Sequence, residues 1–261
     1  MKRELLTRTN KAEFFRLADG SLLKQYLPNR KPVDKVLQDQ RSLQYLEKHF
    51  GEVYYEGWVY RTVKLLEMEV EQRTVRLEFV PGDVLSEVSK SKMKEAEYRC
   101  GIWLALYHNK VLGGLLDGLI YWDFNVHNVI VDFERRTVVA IDPGMSWGRK
   151  GYAYQDLVRH MHSALVTLVV KRKSPVLAVV SFLKGYALAT QAKPNLASYY
   201  KGLWREIRRQ FYLYARKSYV KLMLYPFVLG MTCAFYFCFV PGYLLLKDCE
   251  RSRDLGHSTL R

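Results

Sequence analysis

The stretch YWDFNVHNVIVD, residues 121–132, places a carboxylate, Asp123, five positions ahead of an amide, Asn128, and then runs into small apolar residues. A second apolar run leads into AIDPG, residues 140–144, with another carboxylate at Asp142. Short runs rich in β-branched residues and flanked by turn formers read as strands. Asp123, Asn128 and Asp142 therefore stand at strand ends, on the loops where binding and catalytic groups concentrate.

The chain on the N-terminal side reads as strand-rich. Residues 12–27, AEFFRLADGSLLKQYL, form a hairpin signal around Asp19-Gly20, with Lys24 inside the second strand. A helix follows, because Val33, Val36, Leu37, Leu43, Leu46 and Phe50 recur at helical spacing, with Asp39 and Gln40 on its polar face. Residues 56–80 read as two or three further strands, ended by Pro81-Gly82. Beyond that joint the pattern turns helical. Residues 91–110 carry Met93, Ala96, Ile102, Trp103, Leu106 and Tyr107 as apolar positions, and three more helices follow the AIDPG loop. This order predicts an α+β fold of two lobes. A small antiparallel β-rich N-lobe spans residues 1–80, and a mostly helical C-lobe with both loops spans 81–221. An apolar segment covers 222–246, and a polar tail 247–261.

Bulk properties agree with a folded chain that meets anions. Of 261 residues, 49% are hydrophobic, which excludes global disorder. The net charge of +15 and the pI near 9.6 favour phosphates, nucleic acid or an acidic membrane surface as partners. Cys100, Cys233, Cys238 and Cys249 form no C-x-x-C pair and suit neither a zinc site nor a disulfide framework, so a reducing compartment is expected. The N-terminus lacks the apolar core of a secretory signal.

Lys24 on a strand, Asp39 on a helix, and Asp123, Asn128 and Asp142 in loops are the groups that phosphoryl transfer from ATP requires. A lysine neutralises phosphate oxygens and a helix carboxylate steadies it. One aspartate orients the attacking hydroxyl, and an amide and a second aspartate hold Mg²⁺. With these residues in view, the chain resembles the protein-kinase-like phosphotransferases, nearest the aminoglycoside/choline kinase and lipopolysaccharide (Kdo/heptose) kinase branches. YWDFNVHN resembles the His-Gly-Asp-x-x-x-x-Asn catalytic loop, and AIDPG the metal loop of Ile-Asp-Phe-Gly type. LEFVPGDVL resembles the hinge, and LALYH the segment before the catalytic loop. YAYQDLVRHM and FLKGYALA resemble later helical segments of that family.

The resemblance implies roles for particular residues. Asp123 would be the catalytic base, Asn128 and Asp142 the Mg²⁺ ligands, Lys24 the phosphate contact and Asp39 its partner. Glu78, Phe79 and Val80 would form the hinge whose backbone reads adenine. The chain also departs from the family. Tyr121-Trp122 replaces His-Gly, Pro143 follows the metal aspartate, and Asp39 stands for a glutamate. LTRTNKAEFFRL carries no glycine where a loop should cover the phosphates, and Asn10 is expected in that turn. His108 is expected to support the catalytic loop, and His127, His160 and His162 to pack or lie at the surface.

The segment LMLYPFVLGMTCAFYFCFVPGYLLL, residues 222–246, holds 25 residues without a charge. As one helix it would span roughly 37 Å, more than the ~30 Å core of a bilayer. Lys201, Arg205, Arg208, Arg209, Arg216, Lys217 and Lys221 precede it, against one acid, Glu206. A basic flank would hold the lobes on the cytoplasmic face of a membrane. Pro226 and Pro241 would instead break the segment into a buried helical hairpin.

The expected activity is ATP- and Mg²⁺-dependent transfer of a phosphate to a hydroxyl of a small molecule or glycolipid, such as a lipopolysaccharide-core or envelope sugar. The expected partners are a nucleotide, that substrate and an anionic membrane. The rival expectation is a pseudokinase serving as a membrane-associated scaffold. Nucleic acid is not expected, because no recognition motif accompanies the charge.

Overall fold

The computed structural model describes residues 3–217 except 10, 29–31, 114–116, 146, 148–150, 172 and 194, together with Val240. The apolar segment 222–246 thus lies almost wholly outside the described residues, as does Asn10. In chain order the elements are β1 (Arg3–Arg8), β2 (Ala12–Leu17), β3 (Leu22–Tyr26), α1 (Pro32–His49), β4 (Val53–Tyr55), β5 (Trp58–Thr62), β6 (Leu65–Glu69), β7 (Thr74–Leu77) and β8 (Asp83–Val84). They continue with α2 (Lys90–Val111), β9 (Asp117–Gly118), β10 (Val129–Asp132), β11 (Thr137–Ala140), β12 (Gly151–Tyr152), α3 (Ala153–Val170), α4 (Pro175–Ala189) and α5 (Leu196–Lys217). The fold is α+β, as expected.

Two compact units divide the chain: Met1–Val88 with Val126–Met145, and Ser89–Asn125 with Ser146–Arg261. The sequence reading places one cut near Pro81; the contacts add Val126–Met145 to the first unit. Strand pairing accounts for this. β11 runs parallel to β5, with Val138 opposite Tyr60, and β10 pairs with β8. Asn128 and Asp142 therefore belong to the sheet unit and Asp123 to the helical one.

The sheet unit contains an antiparallel sheet ordered β1-β2-β3-β7-β6 and a second sheet ordered β4-β5-β11-β10-β8. Strand β1 was not legible, because all six of its residues are exposed and leave no alternation to read. Helix α1 buries Val36, Leu43 and Leu46, and Phe50 just past its end is buried too, as the spacing predicts, while Val33 and Leu37 face outward. Val36 and Leu43 join Ala12, Tyr26, Val63, Val75, Leu77 and Val139 in one core.

The helical unit is built around α2, which is buried along nearly its whole second half. Trp103, Tyr107, Tyr121 and Phe124 form an aromatic cluster with ring centroids 5.1–5.8 Å apart. Helix α4 approaches α2 backbone to backbone at Gly101 and Gly185. His160 is a packing residue: Phe182 stacks on its ring at 4.2 Å, and its Nε2 lies 2.8 Å from Glu97 Oε2. Cys100 Sγ lies 3.9 Å from that ring's nitrogens, and burial, aided by Glu97, pushes the thiol well above its ordinary range. Among the described residues, no helix is long and apolar enough to cross a membrane.

Candidate functional site

In β3 the side chains of Lys24 and Tyr26 share one face, because strand side chains alternate with period two. Lys24 donates from Nζ to Asp39 Oδ2 on α1 at 2.8 Å and to Asp142 Oδ1 at 2.5 Å. Tyr26 donates its hydroxyl to the same Asp39 oxygen at 2.5 Å. The Lys24 side chain is only 6% exposed, whereas Asp142 keeps 45% of its side chain open. Burial alone would discharge the lysine, yet the carboxylates of Asp142 and Asp39 outweigh it and hold the ammonium well above its ordinary range. In return Lys24 holds the Asp142 carboxyl below the usual carboxylate range. This corner keeps one cation and one open anion across the physiological range.

A cavity of about 370 Å³ opens from that corner. Its apolar walls include Phe14, Leu22, Val63, Leu77, Ile130 and Ile141, and its polar end holds Lys24, Asp39, Asn128 and Asp142. That volume falls in the range of small-molecule sites, and apolar walls with a few convergent polar groups are their usual lining.

Glu78, Phe79 and Val80 form one border of the cavity. The Glu78 carboxylate turns back to accept from Lys64 N–H at 2.7 Å and pairs with Arg61, which pins this connection. Arg16 lies over the Phe79 ring, 4.5 Å from its centroid. Another border is the end of β1, through Leu6 and Thr7, and the turn after it, through Thr9. In place of glycine, the Thr9 hydroxyl accepts from Lys11 and Ala12 N–H at 3.2 and 3.0 Å, which closes the turn with a side chain.

Asn128 and Asp142 reach the polar end through strand register. Val129 pairs with Ala140, and beyond that pair Ile141 N–H donates to the Asn128 carbonyl at 2.8 Å. The amide and the carboxylate therefore flank one hydrogen-bonded step. Such a pair of oxygen donors, one anionic and half open, fits a hard divalent cation such as Mg²⁺.

Asp123 is not among the residues lining this cavity; it belongs to the helical unit, where its loop is tightly specified. Trp122 adopts φ +67°, and Asp123 N–H donates back to the Tyr121 carbonyl at 2.9 Å. A three-residue turn through a left-handed bulky residue is strained. Asp156 of α3, fully buried, holds it in place. Its Oδ2 accepts from Tyr121 N–H and its Oδ1 from Trp122 N–H, each at 2.9 Å. His108 Nε2 lies 3.4 Å from Asp156 and its Nδ1 3.0 Å from the Tyr186 hydroxyl, so this histidine supports the loop through Asp156. The Arg159 guanidinium lies 4.8 Å from the Trp122 ring centroid and is anchored by Glu206 at 2.6 Å. Asn125 Nδ2 donates to Asp123 Oδ1 at 3.2 Å and aims the carboxylate.

Asp156→Asn is expected to cost about 2–3 kcal/mol, because an amide NH₂ would face one of two buried N–H donors. Urea unfolding measures this; an unchanged midpoint would mean that the turn is held by other groups.

Sequence reading missed Tyr26, Asn125, Asp156 and Arg159. Tyr26 was the most legible, two residues beyond Lys24 on a strand. Asp156 lay inside a motif that carried the resemblance but had no role attached. Asn125 and Arg159 likewise lay inside quoted motifs, YWDFNVHN and YAYQDLVRHM, with no role attached. His127 is exposed and contributes to the cavity lining.

By sequence, no family model and no curated protein matches the chain. Solved structures do match. The aminoglycoside-3'-phosphotransferase of type VIII has a TM-score of 0.55 at 13% identity, covering 78% of this chain and 93% of its own. The macrolide 2'-phosphotransferase MphH from Brachybacterium faecium has a TM-score of 0.53 at 14% identity, covering 86% and 90%. APH(2'')-IIa, in a ternary complex with streptomycin and ATP, has a TM-score of 0.52 at 11% identity, covering 80% and 83%. The chain thus shares the α+β fold of these solved phosphotransferases.

Proposed function

We propose that the protein is a kinase that transfers the γ-phosphate of ATP to a hydroxyl of a small molecule. The observation that carries this reading is Lys24, a buried ammonium held between Asp39 and the half-open Asp142 at the polar end of an apolar cavity. The fold match to a protein solved with ATP and a small-molecule antibiotic supports the same reading.

In this reading the apolar walls take the adenine ring, and the backbone of Glu78, Phe79 and Val80 reads its edge. Lys24 exchanges its contact with Asp142 for phosphate oxygens while Asp39 and Tyr26 keep it in place. Asn128 and Asp142 would hold Mg²⁺, which when bound neutralises charge on the phosphates. Asp123, aimed by Asn125, accepts the proton of the acceptor hydroxyl, and the strained turn beneath it keeps that carboxylate in one orientation. Thr9 closes the turn that covers the phosphates, in the role a glycine would otherwise fill.

A glycolipid or envelope sugar, such as one of the lipopolysaccharide core, is the acceptor we favour, with the protein on the cytoplasmic face of a membrane. The uncharged segment 222–246 and the basic residues before it support this choice.

Calorimetric titration with ATP tests the nucleotide reading. Binding that requires Mg²⁺ and weakens at least tenfold in Asp142→Ala is the expected result. No binding at millimolar ATP would turn the reading to a pseudokinase scaffold, for which the glycine-free turn over the cavity would then be the structural reason.

A further inference from the structure

The charge of this chain is not spread evenly. Of the net +15, +13 falls between Leu157 and Lys247, where fourteen lysines and arginines meet a single acid. That acid, Glu206, is 1% exposed and already holds Arg159 and Arg209. The stretch therefore offers no exposed carboxylate to offset its cations among the described residues. From Leu157 to Arg205 there is no acid at all. A single-sign field of this kind attracts an extended anionic partner.

The same stretch carries an exposed apolar tip. Helix α3 ends at Val170 and helix α4 begins at Pro175. On α3, Val166, Val169 and Val170 recur at i, i+3 and i+4, so they share one face, and they are 40, 60 and 78% exposed. On the first turn of α4, Val176 and Leu177 are each 56% exposed. Lys171 and Lys173 lie in the connection between them. Aliphatic side chains grouped at a hairpin tip and flanked by lysines are out of place on a surface that meets only water. They suit the boundary between headgroups and acyl chains, where the aliphatic groups insert and the lysines stay among phosphates.

We infer that the α3–α4 tip docks the protein on an anionic lipid bilayer, with Val169, Val170, Val176 and Leu177 inserted and Lys171 and Lys173 at the headgroups. This inference rests on the membrane reading above and names its surface. It is independent of nucleotide binding, since none of these residues lines the cavity. It also differs from attachment through segment 222–246.

Vesicle flotation of the full chain tests it, with phosphatidylcholine vesicles prepared with and without a third of phosphatidylglycerol. The wild type is expected to float with the anionic vesicles and several-fold less with the neutral ones. Val170→Asp/Leu177→Asp is expected to lower the partition coefficient roughly tenfold or more, since insertion scales with buried apolar area. Lys171→Glu/Lys173→Glu is expected to remove the preference for anionic lipid. Both variants should keep wild-type ATP binding, and Val170→Asp/Leu177→Asp should keep the wild-type thermal midpoint, as exposed substitutions do.

Flotation that is equal in wild type and both variants would overturn the tip and leave membrane attachment to another segment. Failure of the wild type to float would remove the membrane reading itself, while ATP binding in the same samples judges the kinase reading separately. A lowered thermal midpoint in Val170→Asp/Leu177→Asp would mean that these side chains pack within the chain. A wild-type dimer in light scattering, dissolved by the same variant without any flotation, would assign the tip to self-association. Either result overturns the inference.

Discussion

Lys24→Met is expected to abolish measurable ATP binding and to lower stability by about 3 kcal/mol near neutral pH, the usual cost of removing one partner from a buried ion pair. Most of that cost comes from Asp39, which is left nearly buried with the Tyr26 hydroxyl as its side-chain partner among the described residues. Asp142 contributes less, because 45% of its side chain already meets solvent. The loss should depend on pH with a definite sign. Lys24 lowers the Asp142 carboxyl in the folded protein. Its stabilisation is therefore complete above the unfolded aspartate value near 4 and disappears as the pH falls through the lowered folded value. The Asp142 share of the gap between wild type and variant should be constant above about pH 5 and vanish in acid, so that the gap narrows. Urea unfolding between neutral and acid pH measures this, with ATP titration alongside. A gap that widens on acidification would mean that Lys24 does not hold the Asp142 carboxylate. ATP binding that survives in the variant would remove the lysine from the phosphate site.

Gly185→Ala is expected to be still more damaging to stability, although it adds one methyl group. A Cβ at Gly185 would lie 1.9 Å from the Tyr98 carbonyl oxygen, and one at Gly101 would lie 2.0 Å from that of Phe182. Both obstacles are backbone atoms, so no side-chain rotation relieves them and α4 must move away from α2. Such a shift opens a core containing Ile102, Trp103, Phe182 and Tyr186, all buried. The expected loss is about 4 kcal/mol, in the range reserved for severe core disruption. For a chain of this size it corresponds to a fall of roughly 10 °C in the thermal midpoint. Calorimetry on the purified variant decides the matter. A midpoint within about 2 °C of wild type would mean that the two helices are not in backbone contact at this glycine.

The close approach at Gly185 gives one motif its physical reason. FLKGYALA carried part of the resemblance as a pattern of letters, and the structure supplies its reason: only a residue without Cβ permits the crossing. Trp122 makes the complementary point. The family pattern has glycine there, and the backbone is indeed left-handed, at φ +67°. The chain keeps the turn with a tryptophan because Asp156 takes its N–H and Arg159 covers its ring. A substitution that looks disqualifying in the sequence is compensated by residues more than thirty positions away.

Local periodicity set out the order of strands and helices, the hairpin around Asp19-Gly20, the buried faces of α1 and α2, and the loops that carry Asp123, Asn128 and Asp142. These features depend on neighbours within a few residues, so one sequence suffices to read them. Strand β1 escaped because its exposed residues have no alternation to show. Other features were decided only by tertiary structure. They include the contact of Lys24 with Asp142 across 118 residues, the parallel pairing of β5 with β11, the Asp156 clamp under Trp122 and the glycine crossing of α2 and α4. Each is a meeting of groups far apart in the chain, fixed by the packing of whole elements. Burial converts these meetings into held charges, a strained turn and a helix crossing, and burial is a property of the assembled chain rather than of any stretch within it.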